Sequence, residues 1–406
     1  MIKILSRIAD DFRNPITIRI GITATIGYGT LYYSLAVFAP VISLEFGVSI
    51  DVFFAIFAVG LFLGGLFAPL VGQRIDRVGA RRVMTAGSVV AAAALLLMSA
   101  APNLWTFAAA IIVLEVAGTM VLYEAAFAGL TQIYRQDARR HITSVTLIGG
   151  FASTVFWPVT QMLVSEFGWR ETCLFFAALH LVICVPLHWK SLARARPVQV
   201  KNLDFPSEIT AENVLLGPAR RRAIWLYGFA ICVSGITFAA IPVHILLILQ
   251  SEGVAARSAA LVAMVIGPAQ VVARLVEMTA ESRFTSLMTG RICLSALPVS
   301  FLVLMIPGGT VWTAILFAIL YGISQGLSNI VRGKVPLHLF GSEGFGTLVG
   351  RITGIRFALN AGAPFAFAFL VTVASIQSAL WFGLILALAG ALAFWQLRSP
   401  KQLGQG

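Results

Sequence analysis

Apolar stretches long enough to cross a bilayer follow one another from residue 17 to residue 397, most of them separated by breaks of only a few residues. A spanning helix needs about 20 predominantly apolar residues, because the hydrocarbon layer is about 30 Å thick and each helical residue rises about 1.5 Å. Backbone groups in lipid have no water to bond, so each run has to satisfy its own N–H and C=O groups as a helix. The runs fall at 17–43, 51–72, 81–101, 105–132, 141–165, 170–189, 222–249, 257–280, 287–306, 311–332, 345–373 and 376–397. They predict an all-α membrane protein of about twelve spans. Composition agrees: 59% of residues are hydrophobic and 11% charged, where a soluble domain carries roughly 25% charged residues.

The net charge of +12 would suit a nucleic-acid partner only if it were gathered on one soluble surface. Instead it alternates. Lys3, Arg7, Arg13 and Arg19, then Arg74, Arg77, Arg81 and Arg82, then Arg135, Arg139 and Arg140 mark successive breaks. Arg220, Arg221 and Arg222, then Arg332 and Lys334, then Arg398 and Lys401 continue the series. The opposite breaks keep only Arg170 and Arg257. This is the positive-inside asymmetry, which predicts cytoplasmic termini, a cytoplasmic central loop and a bacterial-type inner membrane. No nucleic-acid partner is expected. The first apolar run continues from about Ile16 to Leu44, longer than the core of a cleavable signal peptide. Cys173, Cys184, Cys232 and Cys293 all fall in apolar spans without metal-type spacing and read as small hydrophobes.

One extended polar segment, from Lys190 to Arg222, divides the spans into two sets of six. The expected organisation is a terminus at 1–16, a bundle at 17–189, a central loop at 190–221, a second bundle at 222–397 and a terminus at 398–406. Duplicated bundles of this kind place many carriers' binding sites at the midplane. Rows of small residues recur at four-residue spacing: Gly60, Gly64, Ala68 and Gly72 in the second span, and Gly346, Gly350, Gly354, Ala358 and Gly362 in the eleventh. Such rows let helix backbones approach closely in lipid. They serve either static packing within a half or an interface that separates and recloses.

Between the second and third spans lies Gly72-Gln73-Arg74-Ile75-Asp76-Arg77-Val78-Gly79-Ala80-Arg81-Arg82. Residues this polar are expected to turn at the bilayer surface. The pattern G-x-x-x-D-R-x-G-x-R-R resembles the loop between helices 2 and 3 of the major facilitator superfamily of secondary transporters. The resemblance implies two pseudo-symmetric six-helix bundles and alternating access, with helices 2 and 11 facing each other. It also implies a cytoplasmic gate at Gly72, Asp76, Arg77, Gly79, Arg81 and Arg82. In that arrangement Asp76 would meet the positive N-terminal end of helix 11, and Arg77 would reach Glu124.

Ionisable groups inside a span cost about 2.5–3.5 kcal/mol each on insertion scales, so each calls for a reason. Gln270, Arg274, Glu277 and Glu281 follow 4-3-4 spacing and share one helix face. An Arg274–Glu277 pair would merely let the helix insert. Alternatively Arg274 anchors a substrate carboxylate, which a guanidinium matches with two parallel hydrogen bonds. Glu277 and, near the midplane of the fourth span, Glu115 are candidates to carry a proton; for Glu115 a structural hydrogen bond is the rival reading. Glu124, nine residues on, lies about 180° around a continuous helix from Glu115. Arg356 and Asn360 share a face of the eleventh span, as a second anion contact or a snorkelling or paired cation. Tyr321, Gln325, Ser328 and Asn329 line one side of the tenth span and suit a polar cavity. His244 is either a proton group or a hydrogen-bonded filler. No P-loop exists, the five histidines are scattered, and no cofactor, metal or catalytic cluster is expected.

The run Tyr134 to Gly150 (YRQDARRHITSVTLIGG), then Pro158-Val159-Thr160-Gln161 and Phe167-Gly168-Trp169-Arg170-Glu171-Thr172, resembles the monocarboxylate transporter family and its bacterial relatives. Val271-Val272-Ala273-Arg274 extends the match and implies the family's substrate-binding arginine at Arg274. The helix 1 lysine of the animal members falls on Tyr33, their acid four residues before the arginine falls on Gln270, and their D-G-x-W-G-W opening is missing. Their proton-coupling residues therefore do not carry over. The expected function is a monomeric, non-enzymatic secondary transporter in the lipid bilayer, moving a small organic solute, a carboxylate first, with or without a proton. An exporter of hydrophobic metabolites or drugs is the alternative; a membrane-embedded enzyme or sensor is remote.

Overall fold

The computed structural model describes residues 14–195, 214–280, 284–306 and 310–400. The distal termini, most of the central loop and Glu281 lie outside the described residues. Among those described, eleven helices are long and apolar enough to cross a membrane. They run in order as α1 (Pro15–Phe46), α2 (Ile50–Val78), α3 (Ala80–Ser99), α4 (Leu104–Val121 and Tyr123–Tyr134), α5 (Ala138–Gly149 and Ala152–Phe167), α6 (Trp169–Ser191), α7 (Gly217–Ser251), α8 (Ala256–Thr279), α9 (Ser286–Leu304), α10 (Val311–Phe340), α11 (Phe345–Val373) and α12 (Ile376–Trp395). The helical stretch Leu104–Phe167, 64 residues long, is two passes. Arg135, at φ 50°, and a 3-10 turn at Arg135–Asp137 reverse the chain. The Tyr123 hydroxyl then donates to the Thr146 carbonyl at 3.2 Å, and Tyr134 stacks on His141 with centroids 3.8 Å apart.

Caps fix the helix starts. The Asn14 side chain accepts from the Ile16 and Thr17 N–H groups ahead of Pro15, and Ser49, Asn103, Thr285, Thr310 and Ser375 cap their helices in the same way. Two expected boundaries are corrected. The polar stretch 72–82 is not a loop: α2 stays helical to Val78, α3 begins at Ala80, and Gly79 alone, at φ 90°, makes the turn. A left-handed φ of that size favours glycine, so one residue does what eleven were expected to do. Likewise α10 continues eight residues beyond position 332 to Phe340. Arg332 and Lys334 are therefore helical residues rather than loop charges.

The chain divides into two compact units, Met1–Leu203 with Ser342–Ala358, and Asp204–Gly341 with Leu359–Gly406. The first part of α11 thus belongs with α1–α6. In the first unit the core is aromatic, with Phe107 against Phe53 at 5.7 Å and against Trp169 at 6.2 Å. The F-G-W-R run is explained here. Glu45, at the end of α1, accepts from Trp169 Nε1 and Arg170, each at 2.6 Å, while Arg170 also donates to the Ser99 carbonyl at 2.6 Å. One corner thereby ties α1, α3 and α6 together. Two π-helical turns, Gly29–Tyr33 in α1 and His180–Cys184 in α6, are bonded to each other by Thr30 Oγ1 and His180 Nε2 at 2.8 Å. In the second unit, Ile241, Phe301, Phe317 and Tyr321 are fully buried together.

Candidate functional site

In the second unit α8 and α10 touch backbone to backbone at Gly326, where a Cβ would lie 2.7 Å from the Gln270 carbonyl. That closeness brings the Gly326 carbonyl to Arg274 Nε at 3.1 Å. Arg274 also donates to Gln270 Oε1 at 3.3 Å, and Gln270 Nε2 donates to Gln325 Oε1 at 2.9 Å. One turn along α8, Glu277 accepts from Lys334 Nζ at 2.9 Å, with Thr289 Oγ1 at 3.5 Å. Arg274, Glu277 and Lys334 are each 3–4% exposed. Among the described residues of this unit they are the buried charged side chains, two cations to one anion. Asn329 accepts from Arg332, and Tyr321 is fully buried with its hydroxyl 3.4 Å from the Thr237 carbonyl. His244 bonds the Pro364 carbonyl at 3.1 Å and stacks on Phe367. Asn360 is half-buried.

In the first unit Glu115 is 7% exposed, and Gly60 and Gly64 of α2 lie against it. Among the described residues no group hydrogen-bonds its carboxyl. Nearby stands an aromatic set: Tyr32 meets Tyr33 edge-on at 5.3 Å and Phe57 at 6.0 Å, and Tyr33 meets Trp157 at 6.1 Å. Tyr32 is 47% exposed. Glu124 accepts from Arg356 at 2.9 Å; Arg77, its expected partner, is exposed on α2. The helix-wheel angle between Glu115 and Glu124 does not apply either, because α4 breaks at Leu122 between them.

At one end of this unit Asp76 accepts from the Gly346 N–H at 3.1 Å and from the Thr347 N–H and hydroxyl, both at 2.7 Å. These are the first free N–H groups of α11, the positive end of a helix. Gly72 allows the approach, since a Cβ there would lie 2.0 Å from the Gly346 carbonyl. The Gly79 turn is bracketed by Gln132, which accepts from Ala80 N at 2.9 Å and donates to the Ile75 carbonyl at 2.8 Å. Arg74 and Arg82 are exposed, whereas Arg81 turns away onto Trp189. The small-residue row of α2 is split between partners: Gly60 and Gly64 serve α4, and Gly65, Ala68 and Gly72 serve α11. Sequence reasoning missed Lys334, Gln132 and Thr347. Periodicity within one helix names its faces but not the residue on the neighbouring helix.

Among the described residues, successive membrane-length helices with a few charged side chains buried inside them are the layout of a membrane carrier. The Major Facilitator Superfamily profile matches residues 21–359, and the chain belongs to that family. It is a non-enzymatic secondary transporter of small molecules. Among solved structures it is similar to the human organic anion transporter MFSD10 (TETRAN), with TM-score 0.69 and 14% identity over 95% of this chain and 99% of that one. It is also similar to the proton:xylose symporter XylE bound to 6-bromo-6-deoxy-D-glucose, with TM-score 0.66 and 12% identity over 95% and 96%. No curated protein matches in sequence. At these identities the two structures share the fold.

Proposed function

We propose that this transporter carries a small organic carboxylate by alternating access, with a proton as the coupled ion. One observation carries the reading: the buried charges of the second unit are Arg274 and Lys334 against Glu277. Lys334 lies on Glu277, so the set holds one positive charge in excess beside the amides Gln270 and Gln325. An anion that binds there offsets a charge expensive to bury in lipid, and that differential affinity can bias a conformational equilibrium. An organic anion transporter and a sugar symporter share this fold, so the fold does not select the substrate; the excess charge does.

Arg274 is assigned the carboxylate. Gln270, Gln325, Asn329 and Asn360 supply polar contacts. Arg356 is assigned to Glu124 rather than to substrate. Glu115 is the proton site, being buried without a hydrogen-bond partner among the described residues; Glu277, held by Lys334, is the less suited of the two. Asp76 on the α11 N-terminus is the gate contact, in a protein working as a monomer with both termini in the cytoplasm of a bacterial-type cell. A thermal-shift screen over small carboxylates, sugars and amino acids selects a substrate for uptake into proteoliposomes. Arg274→Ala is expected to lower carboxylate uptake at least about tenfold, and Arg274→Lys, which keeps the charge without the planar fork, to fall between. Uptake at the wild-type rate by a folded Arg274→Ala protein would remove the carboxylate reading.

A further inference from the structure

Of three arginines that lie over tryptophan rings among the described residues, Arg170 is tied to Glu45 and Ser99, and the other two stand at matching places in the two units. Arg81, in the first turn of α3, has its guanidinium carbon 3.7 Å from the centre of the Trp189 ring near the end of α6. Arg291, in the second turn of α9, lies 5.0 Å from the Trp395 ring at the end of α12. Helices α3 and α6 are third and sixth of the first set, α9 and α12 third and sixth of the second, and each third helix packs on its sixth. Arg81, expected at the gate, lies on Trp189 instead of in the Asp76 contact, and none of the four residues is in the Arg274–Glu277–Lys334 cluster.

Each stack is half-buried: the arginine Nε is enclosed, while the indole ring and the outer guanidinium nitrogens are not all covered. Among the described residues Arg81 has no hydrogen-bond acceptor, and its buried Nε is without a partner. Arg291 gives one N–H to the Leu397 carbonyl at 3.1 Å and keeps a buried Nε without a partner. Both rings stay about half exposed, 48% for Trp189 and 53% for Trp395, and Trp395 is held by its Nε1–H on Ser295 Oγ at 2.9 Å. Indole rings of this exposure settle at the headgroup level of a bilayer. A guanidinium over an indole ring is held by cation–π attraction, and its outer N–H groups that have no protein acceptor can meet a phosphate. The charge alternation along the chain places both stacks on its basic side, facing the leaflet that carries anionic lipid.

We propose that Arg81–Trp189 and Arg291–Trp395 are a duplicated pair of binding sites for the headgroup phosphate of an anionic phospholipid. Each arginine meets the phosphate, and each ring packs along the glycerol and upper acyl region. The proposal is independent of which solute is carried.

Native mass spectrometry of the full-length chain, released from micelles with equal phosphatidylglycerol and phosphatidylcholine, tests it. Wild type is expected to retain two phosphatidylglycerol molecules with about fivefold preference at each site, the worth of one arginine near an anionic surface. Arg81→Gln and Arg291→Gln should each lose one, and the double variant both. Arg77→Gln, at an exposed arginine outside the stacks, should keep both. Unchanged retention in the double variant, or equal loss from Arg77→Gln, would show a diffuse charge effect and overturn the sites. Should the glutamine variants not purify folded, tryptophan quenching in vesicles decides. Wild type should be quenched more by brominated phosphatidylglycerol than by brominated phosphatidylcholine, with the excess gone in W189F/W395F; equal quenching by the two lipids overturns the proposal.

Discussion

Lys334 illustrates what one residue can conceal. It stands two positions beyond the expected end of a span, where a lysine reads as a marker of the basic side. The structure buries it to 3% exposure with its ammonium on Glu277. The Gln270–Arg274–Glu277 stripe was legible because 4-3 spacing is a property of one helix; its partner was not, because α8–α10 register is a property of two. Removing one member of a buried pair costs about 3–5 kcal/mol when nothing else meets the charge left behind, and Arg274, one turn from Glu277 on α8, lowers that cost here. Lys334→Ala is therefore expected to lower the thermal midpoint in detergent by several degrees, and the apolar pair Lys334→Met with Glu277→Leu to recover most of it. A double variant no more stable than Lys334→Ala would mean that Lys334 acts through other neighbours. Asp76 offers a second test at this scale. Its carboxylate accepts three hydrogen bonds from the start of α11, and charge-assisted bonds of this kind are about twice as strong as neutral ones. Asp76→Asn keeps the shape but loses the charge and turns one acceptor into a donor. Cysteine labelling of α11 near Gly346 should then rise severalfold; unchanged labelling would leave Asp76 a structural cap.

Among the elements, the spans were legible because apolar length is a local signal, whereas breaks and extensions depend on neighbours. The interruption of α4 at Leu122 carries no proline or glycine, and the reversal at Arg135 uses a non-glycine residue at positive φ. Nothing local announces the first; the second falls in the expected break between 105–132 and 141–165, marked by Arg135, Arg139 and Arg140, and only its positive φ goes unannounced. The two π turns are equally silent in sequence, since each is paired with the other through Thr30 and His180. The α2 row looked uniform, but a four-residue period drifts around a helix of 3.6 residues per turn, so its two ends face different partners. This divides the expected effects of bulky substitutions. At Gly64 a Cβ would already lie 3.0 Å from the Glu115 backbone, within the packing of α4. Gly64→Leu is accordingly expected to reduce the yield of folded protein. At Gly350 a Cβ would lie 2.5 Å from the Ala68 carbonyl, within the α2–α11 contact. Gly350→Leu is expected to fold and insert but to transport at less than about a tenth of the wild-type rate, because the helices no longer close on backbone. Fluorescence size-exclusion profiles beside uptake rates separate the two, and equal losses of yield at both positions would make α2–α11 ordinary packing.

For the molecule as a whole, the family was readable from one polar stretch, but the coupling was not. The residues that identify the fold lie where α2, α3 and α11 meet, while those that would set the chemistry, Glu115 and Arg274, sit mid-span in different units without a motif around them. Coupling by Glu115 makes a prediction that separates energy transfer from solute binding. A carboxyl that must load and release a proton in each cycle ties solute accumulation to the proton gradient, and one pH unit is worth about tenfold accumulation per coupled proton. Glu115→Gln stands for the permanently neutral form. It should still bind and exchange labelled carboxylate between the two sides of a proteoliposome, since exchange needs only the neutral-state rocking. It should lose accumulation driven by an inward proton gradient, the inside-to-outside ratio falling from about tenfold to about one for a gradient of one unit. Lost exchange together with lost accumulation would place Glu115 in the solute site or in the packing against Gly60 and Gly64. Retained accumulation would move the proton to another carboxyl, for which Glu277 is the buried alternative in the second unit. Arg274→Ala is expected to behave in the opposite way, losing exchange and accumulation together, because a carrier that cannot hold its anion has nothing to return. The ratio of gradient-driven uptake to exchange in these two variants therefore tells which residue handles the proton and which the solute.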